Sequence, residues 1–285
     1  MIEKALHKYQ IKDPLVIVYS PTFNAIDIIE TLRPKKIIYI CYHNFDAAPS
    51  YVLPDILLSE KELIKISDVL FADSAFLQDR LKKMAPGKQV FRSMPGVYYG
   101  LFHQAFRGDE AKQRKNLYYF GSIKYDLDFG LYEAMASHIH TVFIGVVDSG
   151  MSTKIPSNIE VRPPVSNKYL PNLLKEADML GLFYNDCPFV RGIIPAKFFE
   201  CLATGKPILV SGLHEAKPYF DVVYNVQGSE QKALEIIKNL PDTETESRLR
   251  KRDEIARDAD WSNRFGFFIS QLDLDQGRDD KFHTV

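Results

Sequence analysis

Cysteine is scarce. Cys41, Cys187 and Cys201 are the only three in 285 residues, and no two form a CxxC pair. That spacing excludes a disulfide framework and a cysteine-built zinc site, and it fits a reducing, cytoplasmic compartment. With only seven histidines as well, no metal site is expected. Charge of one sign is also missing, since the formal net charge is −1. A nucleic-acid partner is therefore not expected. No apolar run approaches the roughly 18 residues needed to cross a bilayer, and the opening MIEKALHKYQ lacks the apolar centre of a signal peptide. Internal repeats and low-complexity tracts are absent too.

What is present is a rhythm. Short apolar segments predict strands over 15–20, 36–43, 69–74, 89–94, 117–122, 141–147, 158–162, 179–185 and 207–212. Several are apolar throughout rather than alternating, as in strands buried on both faces. Helical stretches separate them, among them KELIKIS, AFLQDRLKKM, LYEAMASH, YLPNLLKEA and QKALEIIKNL. Strand and helix in alternation imply an α/β fold with parallel sheets. The polar stretch 104–116 reads as a linker between a unit over 1–103 and another over 117–260, with a last helix and tail over 261–285. The mixed charges after residue 242 read as a solvated helix face.

One carboxylate stands out. In RGIIPAKFFECLATGKPILVS (191–211), Glu200 follows two phenylalanines and precedes Cys201, Leu202 and Ala203. A carboxylate in such company is costly to desolvate unless something binds it. Pro195 suits a helix start and Gly205 a helix end. The free amides at such a start suit a phosphate, and Lys197 in the first turn adds a full charge. Glu200, one turn deeper, has the chemistry to accept two hydrogen bonds from a vicinal diol such as a ribose. The alternative is a purely structural pair with Lys197 or Arg191.

PAKFFECLATGKPILVS resembles the P-x-K-x-x-E-x-x-A-x-G-K-P-V motif of GT-B glycosyltransferases, in the branch holding family 4 and the teichuronic acid, capsule and O-antigen enzymes. Three further stretches are similar to that family in the same order: KELIKISDVLFADSAFLQDRLK, IEVRPPVSNKYLPNLLKEADMLGLFYND and EIARDADWSNRF. The resemblance implies two Rossmann-like parallel-sheet units facing a cleft. It implies metal-independent, retaining transfer of a hexose from a nucleotide diphosphate sugar to a glycan or lipid-linked acceptor in cell-surface polysaccharide synthesis, with no cofactor beyond that donor. It gives Glu200 the ribose and Lys197 the pyrophosphate. Association with the inner face of the membrane is implied by lipid-linked acceptors, and Lys82, Lys83 and Lys88 form a small basic cluster.

Other positions follow from the same frame. Gly121 and Ser122 close a strand with Lys124 just behind, suiting a phosphate-binding loop; Gly145 is a similar strand-end glycine. Arg162, before Pro163 and Pro164, belongs to the segment that borders the nucleotide base in the family, and Arg191 flanks the motif. His43 is the candidate catalytic side chain, with Asp46, Tyr42, Tyr98 and Tyr99 as weaker cleft candidates. Asp126 in DLD reads as a helix cap rather than a metal ligand. Two departures temper the resemblance. Gly192 stands where the family often has a second glutamate, and the segment that usually precedes the first matched strand is missing. The first unit is therefore expected to be truncated, and a second copy or a partner glycosyltransferase to complete it. The alternative reading is a non-catalytic relative serving as a partner subunit in glycan assembly.

Overall fold

The computed structural model describes residues 2–47, 53–106 and 116–272. Its first unit runs α1 (Ile2–Lys8), β1 (Leu15–Val18), α2 (Phe23–Leu32), β2 (Lys36–Cys41), α3 (Leu53–Ile66), β3 (Val69–Ala72), α4 (Ala75–Met84), β4 (Val90–Arg92) and α5 (Tyr99–Phe102). The second begins β5 (Asn116–Phe120), α6 (Phe129–Ala136), β6 (His140–Ile144), β7 (Glu160–Arg162), α7 (Leu170–Leu174) and β8 (Met179–Phe183). It continues α8 (Ala196–Ala203), β9 (Ile208–Ser211), β10 (Tyr224–Asn225), α9 (Glu230–Thr243), α10 (Glu246–Asp258) and α11 (Trp261–Ser270). All nine expected strands are there. Of the expected linker, 107–115 lies outside the described residues, as does 273–285 of the tail.

Every strand pair is parallel. The first sheet is ordered β1-β2-β3-β4 and the second β10-β9-β8-β5-β6-β7. The second order is that of a doubly wound sheet, and it reverses between β5 and β8. A crevice opens outside the strand ends at such a reversal, which is where these folds place a ligand.

The central strands of the first sheet, β2 and β3, are buried on both faces. Tyr39, Cys41, Leu70 and Ala72 pack on Leu63 of α3 and Leu77 and Leu81 of α4. The alternate residues Ile38, Ile40, Val69 and Phe71 lie beneath Phe268 and Leu272. The last helix thus returns to the first sheet, with the rings of Phe71 and Phe268 at 4.7 Å. This double burial explains why β2 and β3 read as unbroken apolar runs. In the other direction, Val97, Phe102 and Ala105 join the core of the second sheet.

Four charged residues are structural. Glu60 is fully buried and takes both terminal nitrogens of Arg80, at 2.8 and 2.6 Å, and the Tyr39 hydroxyl at 2.7 Å. Arg80 also holds Asp46 through two bonds of 2.8 and 3.0 Å, so Asp46 is an ion-pair partner and not a cleft carboxylate. Lys88 donates to the carbonyls of Ile64, Lys65 and Ser67 at the end of α3, which removes it from the expected basic cluster.

The tail is not simply a solvated face. Arg252 of α10 is fully buried. It donates to Gly205 O at 2.7 Å, to Val222 O at 3.0 and 2.8 Å, and to both oxygens of Glu244 at 3.1 and 2.8 Å. Gly205, at φ +67°, ends α8, so this guanidinium fixes the far end of the helix that carries Lys197 and Glu200. Arg252→Met leaves Glu244 and two carbonyls without their donor. A loss of about 3–5 kcal/mol in unfolding free energy is expected from urea titration, and a loss below about 1 kcal/mol would contradict this role.

Candidate functional site

A cavity of about 610 Å³ opens between the units. Its floor is the set of turns after β5, β6 and β8, where the second sheet reverses. Tyr42, His43, Asp73 and Pro95, from the carboxyl ends of the first sheet, form the opposite wall.

Close backbone approach shapes the floor. Gly121 sits at φ +116°, a conformation that favours glycine. A Cβ there would overlap Lys197 Nζ. At Gly145 a Cβ would run into the Gly121 carbonyl oxygen, so both glycines are required for the β5 and β6 turns to meet. Tyr119 braces this arrangement: its hydroxyl donates to Ser122 O at 2.7 Å and accepts from Lys197 Nζ at 2.6 Å, with the ammonium 4.3 Å from the ring centroid.

Helix α8 starts at Ala196, with Pro195 as its N-cap in extended conformation and no side-chain cap. Pro195, Ala196 and Lys197 line the cavity, and no side chain caps the amides at the helix start. Glu200 lines the same cavity. No group among the described residues hydrogen-bonds its carboxylate, so the structural pairing with Lys197 or Arg191 is not formed. Burial pushes Glu200 up to about 7, against the opposing pull of Lys197. Burial likewise brings Lys197 down to about 8. Both are charges removed from water without a hydrogen-bonded counter-ion.

Asp126 also lines the cavity. It is not the cap of α6; Asp128 is, accepting from Leu131 N at 3.0 Å. Burial raises the Asp126 carboxyl, while Lys197 and Lys124 oppose the rise. Ser122 and Lys124 reach the cavity as expected. His43 does so too, stacked on Phe189 at 5.0 Å. Burial, followed by the Lys124 charge, lowers it to about 4, so it is neutral near pH 7. Its Nδ1 is buried without a hydrogen-bond partner.

Other expected residues fall outside. The Arg162 guanidinium is held by Glu160 at 2.6 Å and Glu176 at 2.7 Å, over the Tyr118 ring, and does not line the cavity. Its neighbours Pro164, Val165 and Asn167 do. Arg191 is exposed and away from the cavity. Tyr99 bonds Asp253 at 2.7 Å, and Tyr98 lies beside Trp261; neither faces the cleft. At Gly192 a Cβ would come within 2.8 Å of Phe76 and 3.2 Å of Leu77. The start of α4 fills the space a longer side chain would need. Two bonds from Ala75 N and Phe76 N to Glu215, at 2.9 and 3.0 Å, secure the units there. His138 and His140 bond Glu230 and Glu160 separately, and the described residues contain no group of three metal-ligating side chains.

Sequence reasoning missed Asp73. It follows β3, lines the cavity and has Oδ1 buried without a partner. Burial, then Glu215, raises it to about 8. The signal available was its place at the carboxyl end of a parallel strand.

No family model matches the chain. TuaH of Bacillus subtilis (strain 168), described as a teichuronic acid biosynthesis glycosyltransferase, is 26% identical over 228 residues. That match covers 72% of this chain but 56% of TuaH, so the chain spans little more than half the length of that relative. Among solved structures, Anabaena HepE in complex with UDP and glucose matches with a TM-score of 0.70 at 13% identity, over 95% of this chain and 80% of its own. Sucrose-phosphate synthase from Thermosynechococcus elongatus matches at 0.67 and 14% identity, over 95% and 76%. TarM gives 0.67 at 10% identity, over 94% and 56%. These likenesses establish the architecture: two facing parallel α/β units of the GT-B type.

The raised Glu200 carboxyl has a consequence for stability. In the unfolded chain it ionises near 4.5, in the folded chain near 7. Its contribution is fully present below about pH 4.5 and is lost as pH rises through about 7. Asp73 acts in the same direction over an overlapping window that ends near pH 8, and its effect persists in a Glu200 variant. Glu200→Gln is expected to match the parent at pH 4 and to exceed it by at most about 3 kcal/mol at pH 8 in urea unfolding. A variant with the parent's full pH dependence would contradict the burial.

Proposed function

We propose that the chain is a glycosyltransferase that binds a nucleotide diphosphate sugar in the cavity between its units and passes the sugar to a glycan or lipid-linked acceptor in cell-surface polysaccharide synthesis. The observation that carries this is the start of α8. Free helix amides, Lys197 over Gly121, and an unpartnered Glu200 one turn away converge on one cavity. A diphosphate at the amides and Lys197 would give the ammonium the counter-ion it lacks, and a ribose would satisfy Glu200. Pro164, Val165 and Asn167 are in place to flank the base. HepE, with UDP and glucose bound, makes a uridine nucleotide the first donor to try.

In the transfer step, the bond from the anomeric carbon to the diphosphate oxygen breaks. Its electron pair leaves with the nucleoside diphosphate, and the acceptor oxygen bonds the anomeric carbon as its proton passes to an oxygen of the departing diphosphate. Lys197, Lys124 and the α8 amides would stabilise the charge that grows on the departing diphosphate. With Gly192 closed by Phe76 and Leu77, the sugar must be held from the other wall. Neutral His43, which lines that wall, is suited to hydrogen-bond a sugar hydroxyl through its imidazole. A retaining outcome, a hexose donor and independence of metal belong to the same proposal, as does a second copy of the chain or a partner glycosyltransferase beside the first sheet.

Calorimetry against UDP, GDP and CDP tests the reading. One of the three is expected to bind, and Glu200→Gln to weaken it by roughly 1–3 kcal/mol with the circular dichroism unchanged. Equal affinity for the variant would remove the ribose role, and no binding of any of the three would remove the donor site.

A further inference from the structure

A second cavity, of about 360 Å³, lies at the carboxyl ends of β8, β9 and β10 and is built from the second unit alone. Tyr184 lines both it and the cavity between the units, so the two share a wall. The turns that form it are pinned. At Gly212, φ +71°, a Cβ would run into the Tyr184 carbonyl. His214 bonds Asp186 at 2.7 Å and joins the turn after β9 to the turn after β8. In the turn after β10, the Asn225 side chain accepts from Gln227 N at 3.1 Å, with Gln227 at φ +55°, a conformation that residues with side chains seldom adopt.

The lining is polar and its bonding is incomplete. Ser211 is 4% exposed and lines the cavity, and its hydroxyl has no hydrogen-bond partner among the described residues. A buried hydroxyl in that state is unfavourable until something bonds it. The Lys217 ammonium and the Asn225 amide nitrogen have no partner among the described residues either. Asp128 uses one carboxylate oxygen, on Leu131 N. Donors and acceptors thus mix around one cavity, with the Phe220 ring beside them.

That mixture selects among ligands. A diphosphate would meet Asp128 and Asp186 against Lys217, and the starts of α6 and α9 are already capped by Asp128 and Ser229. A metal ion lacks a group of three ligating side chains among the described residues. A lipid chain would find few apolar side chains there. An uncharged sugar suits it, because each hydroxyl both donates and accepts. The C–H face of a pyranose also packs on a ring such as Phe220.

We propose that this cavity is a glycan-binding subsite, which takes an uncharged pyranose of the polymer and holds it across Tyr184 from the donor cavity. Ser211, Asn225 and Lys217 bond its oxygens, and Asp128 accepts from a hydroxyl. A hold of this kind keeps a polymer on the protein between transfers. That the sugar belongs to the growing glycan rests on the donor reading above; the binding of a sugar does not.

Backbone amide NMR of the deuterated protein tests this, with maltose, cellobiose and N,N′-diacetylchitobiose as sugar probes and UDP and inorganic phosphate as anionic ones. At least one disaccharide is expected to shift the amides of 211–214 and 225–228 saturably and to leave those of Gly121 and Lys197 in place. Ser211→Ala should weaken that sugar by about three- to ten-fold, the loss of one neutral hydrogen bond, with UDP affinity unchanged. Lys217→Met, at an exposed position, should weaken the same sugar. The assignment is overturned if no disaccharide shifts these amides, if both variants keep the parent's sugar affinity, or if UDP or phosphate shifts them in the sugars' place. If a disaccharide binds here while UDP moves neither Gly121 nor Lys197, the subsite stands and the donor reading falls.

Discussion

The half-buried charges of Lys197 and Glu200, neither with a hydrogen-bonded counter-ion, are what the rest of the site is arranged around. Taking an ammonium or a carboxylate out of water is unfavourable unless it gains partners. Here the ammonium has a tyrosine hydroxyl and a ring face, and the carboxylate has no hydrogen bond among the described residues. Burial accordingly drives both toward neutrality. Such an arrangement persists only if the fold holds it from several sides. Arg252 fixes the end of α8, the β5 and β6 turns close over its start, and the apolar residues flanking Glu200 lie in the core of the second unit. Stability supplied by that core is what tolerates the strained electrostatics at the surface of the cleft.

The same constraint explains the glycines. Gly121 and Gly145 bring two strand ends into backbone contact, so the cavity floor is main chain rather than side chain. A floor of that kind lets a phosphate approach amides closely. Gly192 does different work. It lets α4 of the first unit press on the loop before α8, next to the Glu215 carboxylate that caps α4. The two units are thus tied together at one side of the cleft by a helix N-terminus and a close contact, while His43 and Asp73 face the cavity from the first unit.

Much of this was legible in the sequence because parallel sheets buried on both faces leave unbroken apolar runs. β2, β3 and β8 are of that kind. β10 has two residues and no pattern to read. Helix α2 is poorly marked in the sequence because its isoleucines and threonine are modest helix formers; its capping by Thr22 and its left-handed end at Arg33 define it instead. The Pro-Lys-Glu spacing located α8, and with it Lys197 and Glu200. Side-chain direction was less legible. Glu160 and Arg162 are two apart on a strand and so share a face, which is why that arginine pairs with its neighbour rather than with the cavity. Asp73 carried no motif, and only the meeting of two sheets gives it a role.

A crystal structure with UDP tests the central claim most directly. The account predicts diphosphate density at the Gly121 turn, the first α8 amides and Lys197, with the ribose hydroxyls within hydrogen-bond distance of Glu200. Density instead in the 360 Å³ cavity beside His214 and Asn225, at the far edge of the same sheet, would contradict it.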